Sequence, residues 1–215
     1  PMHSWVDAGT VELVRALGVE VVSSANLFQV AAASWSEESV ASHRRACKIV
    51  QGIKDEAFAR IGEKLRAGEA VNEYEIQQFI RERFDQQGLV TDHGPIVAVN
   101  AHSGDPHYEP SADNHAPIRK GDWVLIDLWA KEPGAHAVYC DITWVGYAGD
   151  VVLEHHQEVF DAVTGARDAV VDALQTAWRN GVTMQGWQAD QIARDHIVGA
   201  GYGQYFVHRT GHSMG

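Results

Sequence analysis

The sequence predicts an α+β fold, in which helices pack on one antiparallel sheet. Two observations support this prediction. Long segments with apolar residues at helical spacing surround a group of short apolar runs, and two of those runs flank a Pro-Gly turn. The chain has 215 residues, of which 45% are hydrophobic and 21% are charged. A chain of this size and composition can bury a substantial core, which excludes a disordered or collagen-like protein.

The individual elements follow from apolar periodicity and from residues that favour helix ends. The pattern Ser34-Trp35-Ser36-Glu37 fits a capping box at the start of a long helix, and Gly68 is typical of its end. Asn72 is the start signal of the next helix. In chain order, we predict a helix at 10–17, a strand at 19–22, helices at 36–67 and 72–84, strands at 96–99, 123–130 and 137–147, and helices at 154–178 and 185–198.

The predicted elements divide the chain into two unequal parts. Residues 1–35 contain only a short helix and a short strand, which bury little surface, so we expect them to be the tail of an upstream module. Residues 36–215 are expected to form the main domain. The chain begins with Pro1 and stops at Gly215 without a polar tail, and we therefore expect the sequence to be a fragment of a longer protein.

Charge and cysteine content restrict the classes of partner and the compartment. Lys and Arg number 17 against 29 Asp and Glu, a formal charge of -12, and no basic run compensates for it. Binding to nucleic acid or to an anionic membrane is therefore not expected. The two cysteines are too few for a disulfide framework, and no apolar stretch approaches the roughly 18 residues of a membrane span. Since the N-terminus has no signal-peptide pattern, the sequence predicts a cytoplasmic protein.

Two aspartates, Asp127 and Asp141, interrupt the apolar runs on either side of Pro133-Gly134. A hairpin folded about Gly134 places them opposite each other, and a two-residue shift in the pairing leaves them diagonal on the same face. Neighbouring carboxylates repel, and burying both without compensation is unfavourable. A bridging divalent cation, a shared proton or a nearby cation such as Lys131 could compensate. A metal explains why both positions are Asp, because Mn²⁺ and Mg²⁺ prefer hard oxygen ligands.

Three of the 12 histidines have neighbours that suggest a functional site. His107 lies in a proline-bounded loop just before the Asp127 strand, and His208 and His212 lie in a glycine-flanked segment. Those glycines are not typical of a helical zinc motif, and they favour a strand or loop where the backbone approaches a ligand. Taken singly, each histidine is more often an ordinary polar residue. The other histidines, His102 among them, are assigned to surface, loop or packing positions.

Three motifs occur along the chain in a fixed order: Gly121-Asp122-Trp123-Val124-Leu125-Ile126-Asp127, Tyr139-Cys140-Asp141-Ile142-Thr143, and His208-Arg209-Thr210-Gly211-His212-Ser213-Met214-Gly215. Together they resemble the pita-bread metallopeptidase family, which includes Xaa-Pro aminopeptidases, prolidases and methionine aminopeptidases. The resemblance covers about residues 36–215 and implies an incomplete pita-bread catalytic domain there. The segment Pro106-His107-Tyr108 resembles the Xaa-Pro aminopeptidase and prolidase branch more than the methionine aminopeptidase branch.

The resemblance implies a metal-dependent enzyme that hydrolyses peptide bonds near the N-terminus, with bonds to proline expected. The family holds two divalent ions, commonly Mn²⁺, Co²⁺ or Zn²⁺, through two Asp, one His and two Glu. By resemblance, the metal ligands in this chain are Asp127, Asp141 and His212. His107 and His208 match histidines that contact the substrate or assist proton transfer. The metals activate a water molecule and polarise the scissile carbonyl. A peptide or other small molecule is the expected partner, and a homodimer is the expected assembly.

This sequence departs from the family pattern in three respects. The hairpin between the aspartates is longer than is typical, which is expected to change only the turn. Trp144 stands where the family commonly has Arg, which changes local contacts but not metal ligation. The two Glu ligands and a further catalytic His are expected beyond Gly215, so the 215 residues alone are expected to be inactive.

Two other functions are compatible with the same fold. A creatinase-like carbon–nitrogen hydrolase works without metal, and the retention of Asp127, Asp141 and His212 argues against it. A non-catalytic binding module could keep the fold, and the intact motifs argue against that function. The metallopeptidase hypothesis is therefore preferred for the full-length protein.

Overall fold

The computed structural model describes residues 6–214, with the backbone alone for residues 26, 28 and 32. In this range three strands form one antiparallel sheet in the order β1-β2-β3, which together with the helices confirms the predicted α+β class. No helix in the range is long and apolar enough to cross a membrane. The elements are α1 (Ala8–Ala16), α2 (Ala25–Ala32), α3 (Glu37–Ala67), α4 (Glu73–Gln86), β1 (Ile96–Val99), β2 (Trp123–Ala130), β3 (Cys140–Tyr147), α5 (Glu154–Arg179) and α6 (Gly186–Gly199), with short 3-10 helices at Asn100–Gly104 and Gly203–Tyr205.

The structure differs from the predicted elements at three places. The strand predicted at 19–22 is wrong: these residues have no regular structure and Val22 is 73% exposed, because a valine-rich run forms a strand only where another strand pairs with it. The sequence does not predict α2, because its segment is apolar almost throughout and shows little separation into apolar and polar faces. Strand β3 begins at Cys140 rather than at 137, because the connection from β2 includes a turn in which the Ala137 N–H donates to the Gly134 carbonyl at 3.3 Å.

The helix ends show which capping signals are used. Ser36, rather than Ser34, caps α3, since its hydroxyl accepts from the Ser39 N–H at 3.1 Å; the Ser34–Glu37 box is therefore misplaced. Gly68 ends α3 in the left-handed conformation, with a φ of 73°, as predicted. Asn72 caps α4 as predicted, accepting from the Glu75 N–H at 2.8 Å.

The main hydrophobic core lies between one face of the sheet and helices α3 and α4. Burial alternates along β2: every second residue is buried and the residues between are half-buried. This alternation places Asp127 on the sheet face that points away from the core. The core residues of β2 are Val124, Ile126, Leu128 and Ala130; those of α3 and α4 include Ala46, Val50, Ile53, Ala57, Ile61, Ile76, Ile80 and Phe84.

A second, smaller core lies between α5 and α6. Its buried members are Ala166 and Val170 on α5, and Ala193 and Ile197 on α6. Phe206, which follows α6, packs against this cluster. The second core therefore fixes the start of the segment that leads to His208 and His212. By contrast, none of the residues of α1 is buried.

An ion pair between α3 and the β2–β3 connection predicts a pH-dependent part of the stability. Arg45 Nε and Nη2 donate to the two carboxylate oxygens of Glu132, each at 2.8 Å, and this pairing lowers the Glu132 pKa from its ordinary 4.5 to about 2. A lowered pKa stabilises the fold above about pH 4.5, and this stabilisation is lost as pH falls towards 2. Glu132→Gln is therefore expected to lower the urea midpoint near pH 7, with the difference from wild type shrinking towards pH 3.

The expected difference is modest, because the Arg45 side chain is 57% exposed and water screens the pair. Glu158→Gln, on the exposed surface of α5, measures the effect of the same substitution without the ion pair. A difference between Glu132→Gln and wild type that stays constant from pH 7 to pH 3 would contradict the role of this pair.

Candidate metal centre

The strand register brings Asp127 and Asp141 onto the same face of the sheet. Asp127 pairs with Thr143, and Asp141 pairs with Trp129. The two aspartates are therefore diagonal neighbours, related by the two-residue shift that the sequence allows, and the directly opposed arrangement is wrong. The shift follows from the long β2–β3 connection, which moves the turn away from Gly134 as its centre.

Each aspartate has a defined hydrogen-bonding or ionic neighbour. The Thr143 hydroxyl donates to Asp127 Oδ1 at 2.8 Å, across the β2–β3 pair. His212 Nε2 lies 3.3 Å from Asp141 Oδ2. The other ring nitrogen of His212, Nδ1, lies 3.0 Å from the Ser213 carbonyl, to which it can only donate. In the neutral ring, Nε2 therefore carries a lone pair that faces the Asp141 carboxylate, an arrangement typical of two ligands that share a cation.

The electrostatics of the pair favour a positively charged partner. Burial raises the pKa of Asp127, the Thr143 hydroxyl lowers it, and the charge on Asp141 raises it further. Burial also raises the pKa of Asp141, which His212 partly offsets. Lys131 does not provide the compensation, because its ammonium lies over the Tyr139 ring, 4.7 Å from the centroid. Besides the partial effect of His212, a bound cation or a shared proton would neutralise the pair.

The side chains present fit a divalent metal in their chemistry. Two carboxylates and an imidazole nitrogen are ordinary ligands of Mn²⁺, Co²⁺ and Zn²⁺. The half-buried carboxylates lack a charged lysine or arginine partner within residues 6–214. In the same range, no three His, Cys, Asp or Glu side chains are already gathered closely enough to hold an ion. Asp127, Asp141 and His212 thus have the chemistry of metal ligands and lie on neighbouring segments, but they are not arranged as a complete metal site.

The structure does not bring His107 or His208 to the aspartates. His107 is exposed in a turn, where its backbone N–H donates to Asp105 Oδ1 at 2.9 Å. His208 is also exposed, and its carbonyl accepts from Arg194 at 2.9 Å. In the described part of the chain, neither imidazole forms a hydrogen bond or ion pair with Asp127 or Asp141. Of the three predicted histidines, only His212 contacts one of the two candidate ligands, Asp127 and Asp141.

Trp144, the departure from the family pattern, lies on the opposite face of the sheet. It pairs with Ile126, whose side chain is in the main core, and so it points towards α3. The Lys54 ammonium lies over the Trp144 ring, 4.1 Å from the centroid. The substitution of Arg by Trp therefore changes contacts to α3, on the side of β3 away from the two aspartates.

Two residues of α6 that the sequence analysis does not single out hold the segment before His212. Asp190 accepts from the Thr210 N–H at 2.7 Å and from the Thr210 hydroxyl at 2.9 Å, and these bonds lower its pKa. Arg194 donates to the carbonyls of Phe206, at 3.1 Å, and His208, at 2.9 Å, and pairs with Asp190 at 2.6 Å. In sequence, Asp190 and Arg194 show only the spacing of an ordinary surface ion pair.

Removing the Asp190 carboxylate is expected to loosen the segment that carries His208 and His212. Asp190→Asn weakens two hydrogen bonds to Thr210 and the ion pair to Arg194, so backbone amides at 207–214 should exchange with deuterium roughly tenfold faster or more. Hydrogen exchange measured by mass spectrometry checks this. Asp195→Asn is the control, because Asp195 is on the same helix and its side chain, within the described residues, accepts only from Gln191. Equal exchange in the two variants would argue against a role of Asp190 in holding the segment at 207–214.

A buried carboxylate, Glu73, is the other feature that the sequence analysis does not identify. Its side chain is fully buried and accepts hydrogen bonds from the loop that contains His107. In the sequence, Glu73 is an acidic residue in the first turn of a helix, where acids are common because they complement the helix dipole. No local pattern distinguishes this buried acid from an exposed one.

Comparisons with known proteins extend these observations. The sequence matches the model of metallopeptidase family M24 over residues 41–215. It is 33% identical over 186 residues to the uncharacterized peptidase YqhT of Bacillus subtilis, covering 84% of this chain and 46% of that protein. The structure resembles dipeptidase PepE from Mycobacterium ulcerans (TM-score 0.66, 27% identity), covering 97% of this chain and 52% of that one. It resembles the prolidase from Thermococcus sibiricus similarly (TM-score 0.67, 26% identity), with 97% and 53% covered.

These likenesses confirm the pita-bread fold expected from the motifs. The chain spans about half the length of the curated relatives it matches. The family match takes in the strands that carry the two aspartates and the segments that carry the three histidines. The chain therefore belongs to metallopeptidase family M24.

Proposed function

We propose that the complete protein is a divalent-metal-dependent peptidase that cleaves near the N-terminus of its substrate, and that Asp127, Asp141 and His212 are metal ligands. The observation that carries this proposal is the approach of His212 Nε2 to within 3.3 Å of Asp141 Oδ2, on the sheet face that also bears Asp127. Within residues 6–214, no lysine or arginine pairs with either half-buried carboxylate, and a bound cation would compensate their charge. A bound metal pair would supply an activated water and a polarised scissile carbonyl.

The chain's own residues have distinct proposed roles. Thr143 orients Asp127 by donating to Oδ1, which leaves Oδ2 free of that bond. His107 and His208 are proposed to contact the substrate or to carry a proton, as the resemblance implies. Two Glu ligands are proposed from the same resemblance. Since this chain spans 46% of the length of YqhT, activity is a property proposed for the complete protein.

A bond to proline is the proposed site of cleavage. The segment Pro106-His107-Tyr108 resembles the Xaa-Pro branch of the family, and one relative at 26% identity is named a prolidase. Other relatives are named dipeptidases, among them PepE from Mycobacterium ulcerans. We infer that the substrate is an Xaa-Pro dipeptide or a short peptide whose second residue is proline.

The test is hydrolysis by the complete protein, stripped of metal and then supplied with Mn²⁺, Co²⁺ or Zn²⁺ separately. Three substrates distinguish the specificities: an Xaa-Pro dipeptide, an Xaa-Pro tripeptide, and the matched Xaa-Ala dipeptide. We expect metal-dependent cleavage of at least one proline substrate and slower cleavage of the alanine peptide. Hydrolysis of creatine without metal would instead support the creatinase-like function. Metal binding without hydrolysis of any substrate would support the binding module.

Three further proposals concern organisation rather than chemistry. We propose that residues 1–35 belong to an upstream module, supported by the absence of buried residues in α1 and by a family match that begins at residue 41. We propose a cytoplasmic location, supported by a cysteine content of two, too low for a disulfide framework. A homodimer stays a prediction from the family resemblance.

A further inference from the structure

Glu73 gathers four hydrogen-bond donors from a single stretch of chain. Its Oε1 accepts from the Val99 N–H at 2.7 Å and from His102 Nδ1 at 2.9 Å. Its Oε2 accepts from the Tyr108 hydroxyl at 2.6 Å and from the Ala116 N–H at 2.5 Å. The side chain is fully buried, at the N-terminus of α4. A buried carboxylate is stable there because these donors replace its lost hydration.

Through these donors, the connection between β1 and β2 is bonded at several positions to the Glu73 carboxylate. Val99 is the last residue of β1, and Ala116 lies shortly before β2. Between them, the rings of His102 and Tyr108 stack with centroids 4.2 Å apart. Burial and the Glu73 contact raise the pKa of Tyr108, so its hydroxyl remains a donor. The loop is thus held at both ends and in the middle by the same side chain.

His107 directly precedes Tyr108, the residue that bonds the middle of the loop to Glu73. The Tyr108 N–H donates to the Asp105 carbonyl at 3.1 Å, and the His107 N–H donates to Asp105 Oδ1, which closes a tight turn at 105–108. Tyr108 is buried towards Glu73 while His107 is exposed. Because two hydrogen bonds close the turn and Tyr108 is bonded to Glu73, the Glu73 carboxylate also determines where His107 lies.

We propose that Glu73 is a positioning residue that sets the location of His107 through Tyr108 and the 105–108 turn. The inference rests on the proposed function, since it is the substrate-contacting role of His107 that makes its placement matter. Glu73 itself does not reach the substrate, because it is fully buried between α4 and the loop.

Glutamine cannot replace Glu73 without loss, although it fills the same volume. The carboxylate accepts at both oxygens, whereas an amide offers one acceptor and two donors. If the amide nitrogen occupies the Oε1 position, it faces the Val99 N–H, and if it occupies the Oε2 position, it faces the Ala116 N–H. Either orientation leaves a backbone donor unsatisfied, so Glu73→Gln should displace one end of the loop.

The test is a double-mutant cycle in the complete, metal-loaded protein, with Glu73→Gln and Tyr108→Phe each made with His107 present and with His107→Ala. With His107 present, we expect each change to lower kcat/KM by about tenfold or more. With His107→Ala, the same change should lower it by less than about twofold, since the group being positioned is gone. Loss of general stability would instead lower kcat/KM by the same factor in both backgrounds, which would overturn the proposal.

Tyr74→Phe is the matched control for Tyr108→Phe. Tyr74 follows Glu73 directly and stacks on His115 with ring centroids 6.1 Å apart, so the change removes a neighbouring hydroxyl that does not bond to Glu73. It should leave kcat/KM unchanged in both backgrounds. If Tyr74→Phe lowers kcat/KM as much as Tyr108→Phe, with the same dependence on His107, the specific role of the Tyr108 anchor is refuted.

Hydrogen exchange separates failure of this inference from failure of the proposed function. Glu73→Gln should raise exchange at 99–116 and leave α5 and α6 unchanged. If the wild-type protein hydrolyses no peptide with any metal, the proposed function fails, and with it the catalytic role of His107. Faster exchange at 99–116 in Glu73→Gln would then still show that the Glu73 carboxylate holds the loop. If exchange does not change and the protein is active, the inference is wrong and the proposed function stands.

Discussion

Asparagine in place of Asp141 is expected to lower kcat/KM of the complete protein by at least about two orders of magnitude, because the substitution removes the charge of a proposed metal ligand. Asp141 Oδ2 faces His212 Nε2 at 3.3 Å, and a neutral amide would weaken the attraction of both groups for a shared cation. Asp127→Asn should have an effect of similar size. The measurements are steady-state kinetics on an Xaa-Pro dipeptide and the metal content of the purified protein.

The matched control is Asp150→Asn. The Asp150 side chain is 88% exposed and, among residues 6–214, pairs only with Lys120, at 3.1 Å, so the same substitution there leaves the candidate site intact. We expect the Asp150→Asn variant to have the same metal content and activity as the wild-type protein. Full activity in both Asp141→Asn and Asp127→Asn would refute the proposed ligand assignment.

The effect of Asp141→Asn on stability should also differ between the metal-free and the metal-loaded protein. Without metal, burial raises the pKa of Asp141, which means that its negative charge destabilises the fold at neutral pH, and the neutral amide should raise Tm slightly or leave it unchanged. With Mn²⁺, the wild-type protein should gain Tm through binding to the folded state, and the variant should not. A metal-dependent rise in Tm that survives in Asp141→Asn would show that the ion binds elsewhere.

Alanine in place of Leu128 is expected to lower the free energy of unfolding by about 2–5 kcal/mol, the range for deleting a buried leucine side chain. Leu128 is fully buried between the sheet and the helices of the main core. It is also the neighbour of Asp127, so relaxation of β2 into the cavity should disturb the candidate site as well. Urea unfolding followed by far-UV circular dichroism measures the loss.

Leu174→Ala provides the comparison for Leu128→Ala. Leu174 lies on α5 with 44% of its surface exposed, and its truncation should change the free energy of unfolding by less than about 1 kcal/mol. Similar losses for the two variants would mean that Leu128 is not in a tightly packed core.

The pattern of side chains in β2 and β3 could be predicted because it is local. Alternation with a period of two placed Asp127 and Asp141 on one face, and any even shift in register preserves that result. The register itself could not be predicted, since it depends on how the β2–β3 connection closes. The error at 19–22 has a similar origin: Val22 favours a strand locally, and the absence of a pairing strand overrides that preference.

The contacts of Glu73 and His102 could not be predicted for a different reason. They join residues 29 positions apart, and nothing in either local sequence indicates the partner. The sequence predicts a surface, loop or packing position for His102, because a single histidine in a loop carries no information about a buried acid elsewhere. His212, by contrast, belongs to a motif, and the structure places it beside Asp141.

The candidate ligands are divided between the two hydrophobic cores. Asp127 and Asp141 extend from the sheet of the main core, whereas His212 follows a segment that Asp190 and Arg194 hold against α6 of the second core. An ion bound by all three would link residues that belong to two different cores. Metal affinity would then include the free energy of holding these residues in one arrangement, so metal occupancy and the order of the two cores would be thermodynamically linked. A substitution far from the ion that loosens the packing of either core would then weaken metal binding, even though all three ligands are unchanged.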